Sequence, residues 1–348
     1  MRLEAIMTAG PPGAFPEPSG FGDEACLCEV CRVSMGDRIT FFRQPRRLLI
    51  TMKYLSPMLL PRCLLVQVVV AWTALLFFPW IATAAEPAPG ELAVMTYNLR
   101  YASSQPPNAW EARRPVAREM LQQLRPDVIG TQEGLYRQVK DLAADLPDYA
   151  WIGTGREGGS RGEFMAVFYR RERLEPLEYD HYWLSDTPEV IGSSTWGNSV
   201  RRMVTSVKFR DLQTGRDFFF INTHFDHQVQ GSREKSAALV LDRVMKLKTM
   251  LPVLLVGDFN AAAEANKVYE LLVGQEKFVD TWKIADQRGE PWSTFHGYRE
   301  PQKEGQRIDW ILARGPVKVR QTEVVTFQKA GQYPSDHFPV IARLKLGE

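Results

Sequence analysis

The stretch Val253–Asn260, Val-Leu-Leu-Val-Gly-Asp-Phe-Asn, constrains the fold more than any other part of the chain. An apolar run with β-branched ends that stops at a glycine reads as a strand buried on both faces. Asp258 and Asn260 then emerge where the strand finishes, so a sheet fixes two polar side chains and a loop exposes them. Gly-Asp-x-Asn also makes ordinary turns, so its meaning depends on what else converges on it.

With 348 residues, 45% hydrophobic and 24% charged, the chain has room for one large domain plus an extension. A formal net charge of +2 carries no concentrated basic footprint, and it neither demands nor excludes a nucleic-acid substrate. The cysteines are Cys26, Cys28, Cys31 and Cys63, so everything downstream lacks both disulfides and thiolate metal sites.

Residues 52–84 read as a secretory signal: Met52-Lys53 opens a short basic region ending at Arg62, an apolar run follows from Cys63 to Ile81, and Ala82-Thr83-Ala84 supplies a small-residue cleavage site. The apolar run is near the length of a membrane span, which makes an uncleaved N-terminal anchor the rival. Cleavage implies export, to the periplasm or the medium. Residues 1–51 are out of place before such a signal. Their three cysteines match no structural zinc spacing and have no histidine nearby, so the stretch reads as a non-native upstream extension, or as disordered. Residues 85–91 form a linker, and 92–348 a single domain in which strands and helices alternate without a composition break.

Strands are expected at Leu92–Leu99, Val128–Glu133, Phe164–Tyr169, Met203–Phe209, Phe218–Thr223, Ile308–Leu312 and Phe338–Leu344. Helical spacing marks Arg113–Leu124, which stops before Pro126, Leu135–Leu146, and Ser232–Met250 with Ser232 as its cap. The glycine-rich stretch 153–162 lacks the Lys-Ser/Thr ending of a phosphate-binding P-loop and reads as a surface loop. Hairpins mixed with crossovers point to mostly antiparallel sheets.

Polar residues recur at the strand ends. Asn98 closes the first, Glu133 the second and His224 another; Asp258 and Asn260 follow the strand at 253; Asp309 opens Asp-Trp-Ile, and Ser335-Asp336-His337 precedes the last strand. Each alone has a plain structural explanation as a turn, a cap or a satisfied histidine. Together they make one oxygen-rich cluster with two histidines. Without thiolates, that donor set suits Mg²⁺ or Mn²⁺ better than zinc, and histidines beside carboxylates can orient water or protonate a leaving oxygen.

The ordered set Tyr-Asn98, Gln-Glu133, Thr-His224, Gly-Asp258-Phe-Asn260, Ile-Asp309-Trp-Ile and Ser-Asp336-His337 resembles the endonuclease/exonuclease/phosphatase superfamily. The resemblance implies a DNase I-like α/β fold, a four-layered sandwich of two packed, mostly antiparallel sheets flanked by helices. It implies Glu133 as the principal Mg²⁺ (or Mn²⁺) ligand, with Asn98 and Asp336 completing or supporting the metal site. Asp258, assisted by Asn260, would orient or deprotonate the attacking water. His337, its tautomer and charge fixed by Asp309, would stabilise the phosphate. Histidine at 224, rather than the tyrosine of the exonuclease III-like branch, resembles DNase I, the neutral sphingomyelinases and the nocturnin-like deadenylases. The surrounding blocks resemble a bacterial, often exported branch near the nocturnin line.

His227, His296 and Arg202 are possible substrate contacts, and Trp110, Trp183, Trp196 and Trp292 are packing residues that could also stack on a substrate ring. The expectation is an exported metal-dependent phosphoesterase, a phosphodiesterase first, with nuclease, lipid phosphodiesterase and non-catalytic binding module as alternatives. Its partner is a phosphate ester of nucleic-acid, lipid or small-metabolite type, and no feature calls for a protein partner. A nuclease needs a basic groove, a lipid enzyme an exposed apolar rim, and a small-metabolite phosphatase a pocket holding the arginines.

Overall fold

The computed structural model describes residues 90–347 apart from 276 and 304. The expected upstream stretch (1–51), the signal (52–84) and most of the linker (85–91) lie outside those residues. At the linker's end Glu91 is already buried and takes an ion pair from Arg320 (3.0 Å), so ordered packing begins just before the expected boundary. Among the described residues no helix is long and apolar enough to cross a membrane.

In chain order the strands are β1 (Leu92–Asn98), β2 (Val128–Gln132), β3 (Gly134–Leu135), β4 (Tyr149–Ile152), β5 (Glu163–Phe164), β6 (Val167–Arg170), β7 (Leu174–Trp183), β8 (Met203–Asp211), β9 (Asp217–His224), β10 (Val253–Asp258), β11 (Val279–Asp280), β12 (Gln287–Arg288), β13 (Asp309–Arg314), β14 (Val317–Val324) and β15 (Val340–Leu346). The helices are α1 (Trp110–Leu124), α2 (Tyr136–Asp145), α3 (Gln230–Lys246), α4 (Lys267–Leu272) and α5 (Thr281–Ile284). One sheet has the order β12-β14-β15-β1-β2-β6-β4, the other β11-β13-β10-β9-β8-β7, and β3 with β5 makes a short ribbon. Most neighbours are antiparallel, as expected.

The apolar residues explain the layers. Leu92, Val94, Val128, Val207, Phe220, Leu254, Val256, Ile311 and Leu344 point between the sheets and form the central core. The alternate residues of the first sheet, Met95, Tyr97, Ile129 and Ile341, meet Ala117, Met120 and Leu121 of α1 and Val139 and Leu142 of α2. On the other outer face Ile221, Leu255 and Leu312 meet Ala237, Val240 and Val244 of α3 and Val268 and Leu272 of α4. Period-two alternation with both faces covered gives the four layers.

Each sheet has a parallel pair at its centre, β1 with β2 and β9 with β10. Parallel strands finish at the same edge, and their antiparallel neighbours begin there. Asp258 therefore pairs with His224 on one side and Asp309 on the other, while Asn98 pairs with Gln132, next to Glu133, and Thr96 with Val340, shortly after His337. The topology itself brings the polar strand ends together.

Near that edge the sheets approach closely. A Cβ on Gly130 would lie 2.5 Å from Val256 Cγ2 and 2.8 Å from Asn222 Oδ1 of the other sheet. The buried Asn222 uses this proximity: its amide donates to the carbonyls of Thr131 and Ala166 and accepts from Gln132 Nε2 at 2.7 Å.

Strands β7 and β14 are further elements that the sequence pattern does not mark; both sit toward the sheet edges, β7 exposed or half-exposed from Glu175 to His181 and β14 mixing buried with more exposed positions. The expected start of α3 needs correction: it begins at Gln230, with Val229 in the cap position and no side-chain cap. Asp226 Oδ1 instead accepts the N–H groups of Gln228 and Val229 just before it, and Ser232 lies inside the helix, its carbonyl taken by Ser236 Oγ.

Candidate active site

Asp258 and Asn260 are aimed by Phe259 between them. Strand alternation turns Phe259 away from them into the outer core, where it stacks on Trp310 (4.3 Å) and meets Phe225 edge-on. Asp258 Oδ1 accepts the N–H of Asn260 at 2.9 Å. Asn98 holds the two sheets' carboxylates at a fixed spacing, since its Nδ2 donates to Glu133 Oε1 and to Asp258 Oδ2, each at 3.0 Å. Its Oδ1 accepts the N–H of Arg100, so Asn98 supports the carboxylates through its amide nitrogen. His337 Nδ1 lies 3.0 Å from Asp309 Oδ2, and its Nε2 lies 3.8 Å from Asp258 Oδ2. Ser335 Oγ donates to the carbonyl of Asn98 at 2.6 Å and ties the Asp336–His337 segment to β1. His224 Nε2 lies 3.0 Å from Asn260 Nδ2. Arg100, Glu133 and Asn260 all have left-handed backbones, at φ 52°, 59° and 47°, so backbone strain concentrates around these groups.

Burial raises the Asp258 carboxyl, the charge of Asp309 raises it further, and the result is about 7 despite His337 nearby. Burial alone would lower His337, but Asp309 and Asp258 outweigh it and carry the imidazole to about 10, a cation throughout the neutral range. Burial, with Arg202 and His337 behind it, pushes His224 well below the usual histidine value, so it is neutral. Burial acts to raise Glu133, but His337, the Asn98 hydrogen bond and Arg100 overcome it and keep it ionised. Burial also raises Asp336, against the pull of His337.

These groups border an open cleft of about 360 Å³, with Arg100, Arg156, Arg202 and Glu163 also on its walls and Tyr101 and Phe295 half exposed at it. Arg100 sits between Glu133 Oε2 (3.7 Å) and Asp336 Oδ2 (3.5 Å). Arg202 is only 4% exposed, yet among the described residues its side-chain hydrogen-bond partner is His227 Nδ1 at 3.1 Å, and its Nε has none. Since arginine only donates, His227 Nδ1 accepts and the ring proton sits on Nε2.

The structure thus brings Asn98, Glu133, His224, Asp258, Asn260, Asp309, Asp336 and His337 together, with His227 and Arg202 on the same cleft. His296 is placed elsewhere, a correction to its expected role as a substrate contact. Its ring stacks on Phe338 at 3.7 Å and its two nitrogens lie 2.9 Å from the carbonyl of Arg299 and 3.0 Å from that of Ser335, so no ring atom is left for a phosphate. Through those contacts it supports the loop that carries Asp336. The tryptophans are engaged in packing and hydrogen bonds: Trp110 Nε1 donates to Asp141, Trp183 Nε1 to the carbonyl of Arg156, and Trp196 Nε1 to Asp186, while Trp292 packs on the central core. Arg100, Tyr101, Arg156, Glu163 and Phe295 were missed. The arginine two residues past a strand-end asparagine was a readable signal for Arg100; the glycine-rich reading of 153–162 hid Arg156.

The donor set fits a hard divalent cation. Ligand atoms of Glu133, Asp258 and His337 lie within 4.8 Å of one another. Four carboxylates, Glu133, Asp258, Asp309 and Asp336, converge against the His337 imidazolium, the half-exposed Arg100 and the buried Arg202, which still leaves carboxylates in excess of local positive charge. With His337 held by Asp309, the oxygen ligands would come from Glu133 and Asp336.

Fold and site define a class, the hydrolases of phosphate-ester bonds. Residues 95–337 match the Endonuclease/Exonuclease/phosphatase family, and the chain belongs to it. Among solved structures it is similar to an endonuclease/exonuclease/phosphatase from Bacteroides vulgatus, at 32% identity and TM-score 0.70, over 74% of this chain and 99% of that one. It is likewise similar to a mannosyl-6-phosphatase from Bacteroides thetaiotaomicron, at 33% identity and TM-score 0.69, over 73% and 99%. The human nocturnin catalytic domain, 18% identical with TM-score 0.59 over 75% and 96%, shares the fold. An uncharacterised protein of Acanthamoeba polyphaga mimivirus is 29% identical over 43% of this chain, and the matched region spans 59% of that relative's length.

Proposed function

We propose that the chain hydrolyses small phosphate esters with Mg²⁺ or Mn²⁺, and that monoesters come ahead of the diesters expected from the sequence. The carrying observation is the line Asp309–His337–Asp258 beside Glu133: a buried cation held by one carboxylate and facing a second whose pKa of about 7 suits a base near neutral pH. Glu133 and Asp336 would hold the cation, which when bound would neutralise charge developing on the phosphoryl oxygens. Asp258, oriented by Asn98 and the Asn260 N–H, takes the proton of the attacking water. His337 Nε2–H is a donor for a phosphoryl oxygen, and neutral His224 keeps the Asn260 amide in place. Arg202, buried with one partner, favours a strongly anionic group on the cleft wall, and the 33% identical mannosyl-6-phosphatase supports a monoester.

The test is turnover of an aryl phosphomonoester and an aryl phosphodiester by chelator-treated protein with and without Mg²⁺ or Mn²⁺. Metal-dependent turnover with the monoester preferred is expected; no turnover of either with either ion would overturn the reading and favour a binding module. Glu133→Gln, Asp258→Asn and His337→Ala should each lower kcat/KM by about 10²–10⁴-fold with the fold intact by circular dichroism.

The reading includes export, which rests on the signal pattern at 52–84. N-terminal peptide mapping of the expressed protein should find a start near Ala85, and peptides from residues 1–51 would count against it.

A further inference from the structure

We propose that the Arg156–Glu163 pair, with Phe295 on the same cleft, is a subsite for the hydroxyl-bearing ring of a sugar phosphate, the leaving group of the hydrolysis. This rests on the phosphoesterase reading above and names its substrate class.

The pair is held in a fixed place. Arg156 N donates to the carbonyl of Glu163 at 2.9 Å, Gly155 N to that of Gly159 at 2.8 Å, and the Arg156 carbonyl accepts Trp183 Nε1 at 2.7 Å. The β3–β5 ribbon pairs Leu135 with Glu163 and Gly134 with Phe164, so Glu163 is registered directly to the chain leaving Glu133. Both side chains are mostly buried, 16% and 14% exposed, yet both line the cleft, and Arg156 Nη1 donates to Glu163 Oε2 at 2.6 Å. Glu163 Oε1 has no partner among the described residues.

The chemistry separates this pair from its neighbour. Arg202 makes no ion pair among the described residues, with Glu163, Asp258 and Asp226 acting on its charge only from a distance, and suits an anion. Arg156 and Glu163 neutralise each other and still offer guanidinium N–H donors beside a carboxylate acceptor, the combination that vicinal hydroxyl groups need. A nucleic-acid backbone would meet a carboxylate there, whereas a neutral polyol meets donors and acceptors. Phe295 is 45% exposed and tilts against the His337 ring at 5.0 Å. It sets an apolar face next to the phosphate-handling histidine, suited to the C–H face of a sugar ring.

The experiment compares mannose 6-phosphate with an aryl phosphate for the metal-loaded protein and for Glu163→Gln and Arg156→Gln, and titrates free mannose into each while following the protein by NMR. The ratio of kcat/KM for the sugar ester to that for the aryl ester should fall by about tenfold or more in both variants, chiefly through KM, because hydroxyl partners are lost. Free mannose should bind the parent saturably and both variants more weakly. A ratio that moves by less than about threefold in both variants, or no saturable mannose binding to the parent, would overturn the subsite. Absent aryl-phosphate turnover would instead remove the phosphoesterase reading, and the mannose titration would still decide the subsite.

Discussion

A buried imidazolium needs compensating charge, and His337 has two sources of it in Asp309 and Asp258. The two carboxylates differ in role because only Asp309 reaches Nδ1 at hydrogen-bond distance, which leaves Nε2 for the cleft. Asp309 also raises the Asp258 carboxyl by like-charge repulsion. Asp309→Asn therefore acts on both partners in the same direction, lowering His337 from about 10 and Asp258 from about 7. If Asp258 works deprotonated and His337 protonated, activity spans the window between them, and both limbs of the pH profile of kcat/KM should move to lower pH. A fall in kcat of about 10²-fold should accompany the shift, as for loss of an orienting group. Limbs that stay in place while activity falls would assign Asp309 a purely structural role.

At the scale of strands, the site depends on how closely the two sheets meet below it. Gly130→Ala would push a methyl group against Val256 and Asn222, in the region where the Gln132–Asn222 bond joins the sheets one residue before Glu133. Overpacking of that kind costs about 1–3 kcal/mol, read as a lower urea midpoint, and kcat should fall as well, because Glu133 moves with β2. Central strands of this sort were legible in the sequence. Val253–Asp258 and Leu92–Asn98 are buried along their whole length, so apolar run and polar terminus gave both the element and its functional end. Glu175, Glu178 and Asp180 hid β7, because a sheet-edge strand turns polar residues to solvent and loses the apolar signature. The cleft wall was hidden for a different reason: Arg156 and Glu163 become neighbours only when the loop between them folds back on itself, and nothing in their spacing encodes that. His296 shows the converse, since a histidine close in space to the catalytic loop turned out to serve its backbone.

For the whole molecule, the crowded strand edge sets how stability varies with pH. The sign follows from proton counting. Asp258 has a pKa of about 7 in the fold against 3.8 for an ordinary aspartate, so between those values the native state holds a proton that the unfolded chain has lost, and stability falls as pH rises through that window. His337, about 10 against 6.5, repeats the pattern one window higher. Glu133 opposes them: its pKa is lowered, so its contribution is present above the ordinary glutamate value and is lost on acidification. Because these slopes overlap, a single unfolding curve cannot apportion them, but a difference curve can. In chelator-treated protein the stability of the parent minus that of Asp258→Asn should decline from about pH 4 to about pH 7 and then decline again toward about pH 10, where the parent's His337, held up by Asp258, loses its proton later than the variant's, measured as urea midpoints across the range. The same difference taken in saturating Mg²⁺ should finish its first decline at lower pH, because a cation in the cleft favours the ionised carboxylates in the native state just as it does their ligand role. A difference curve that stays flat between about pH 4 and about pH 7 in the absence of metal would mean that Asp258 is already ionised in the fold well below neutrality, and that the base of the proposed reaction must be sought in another residue.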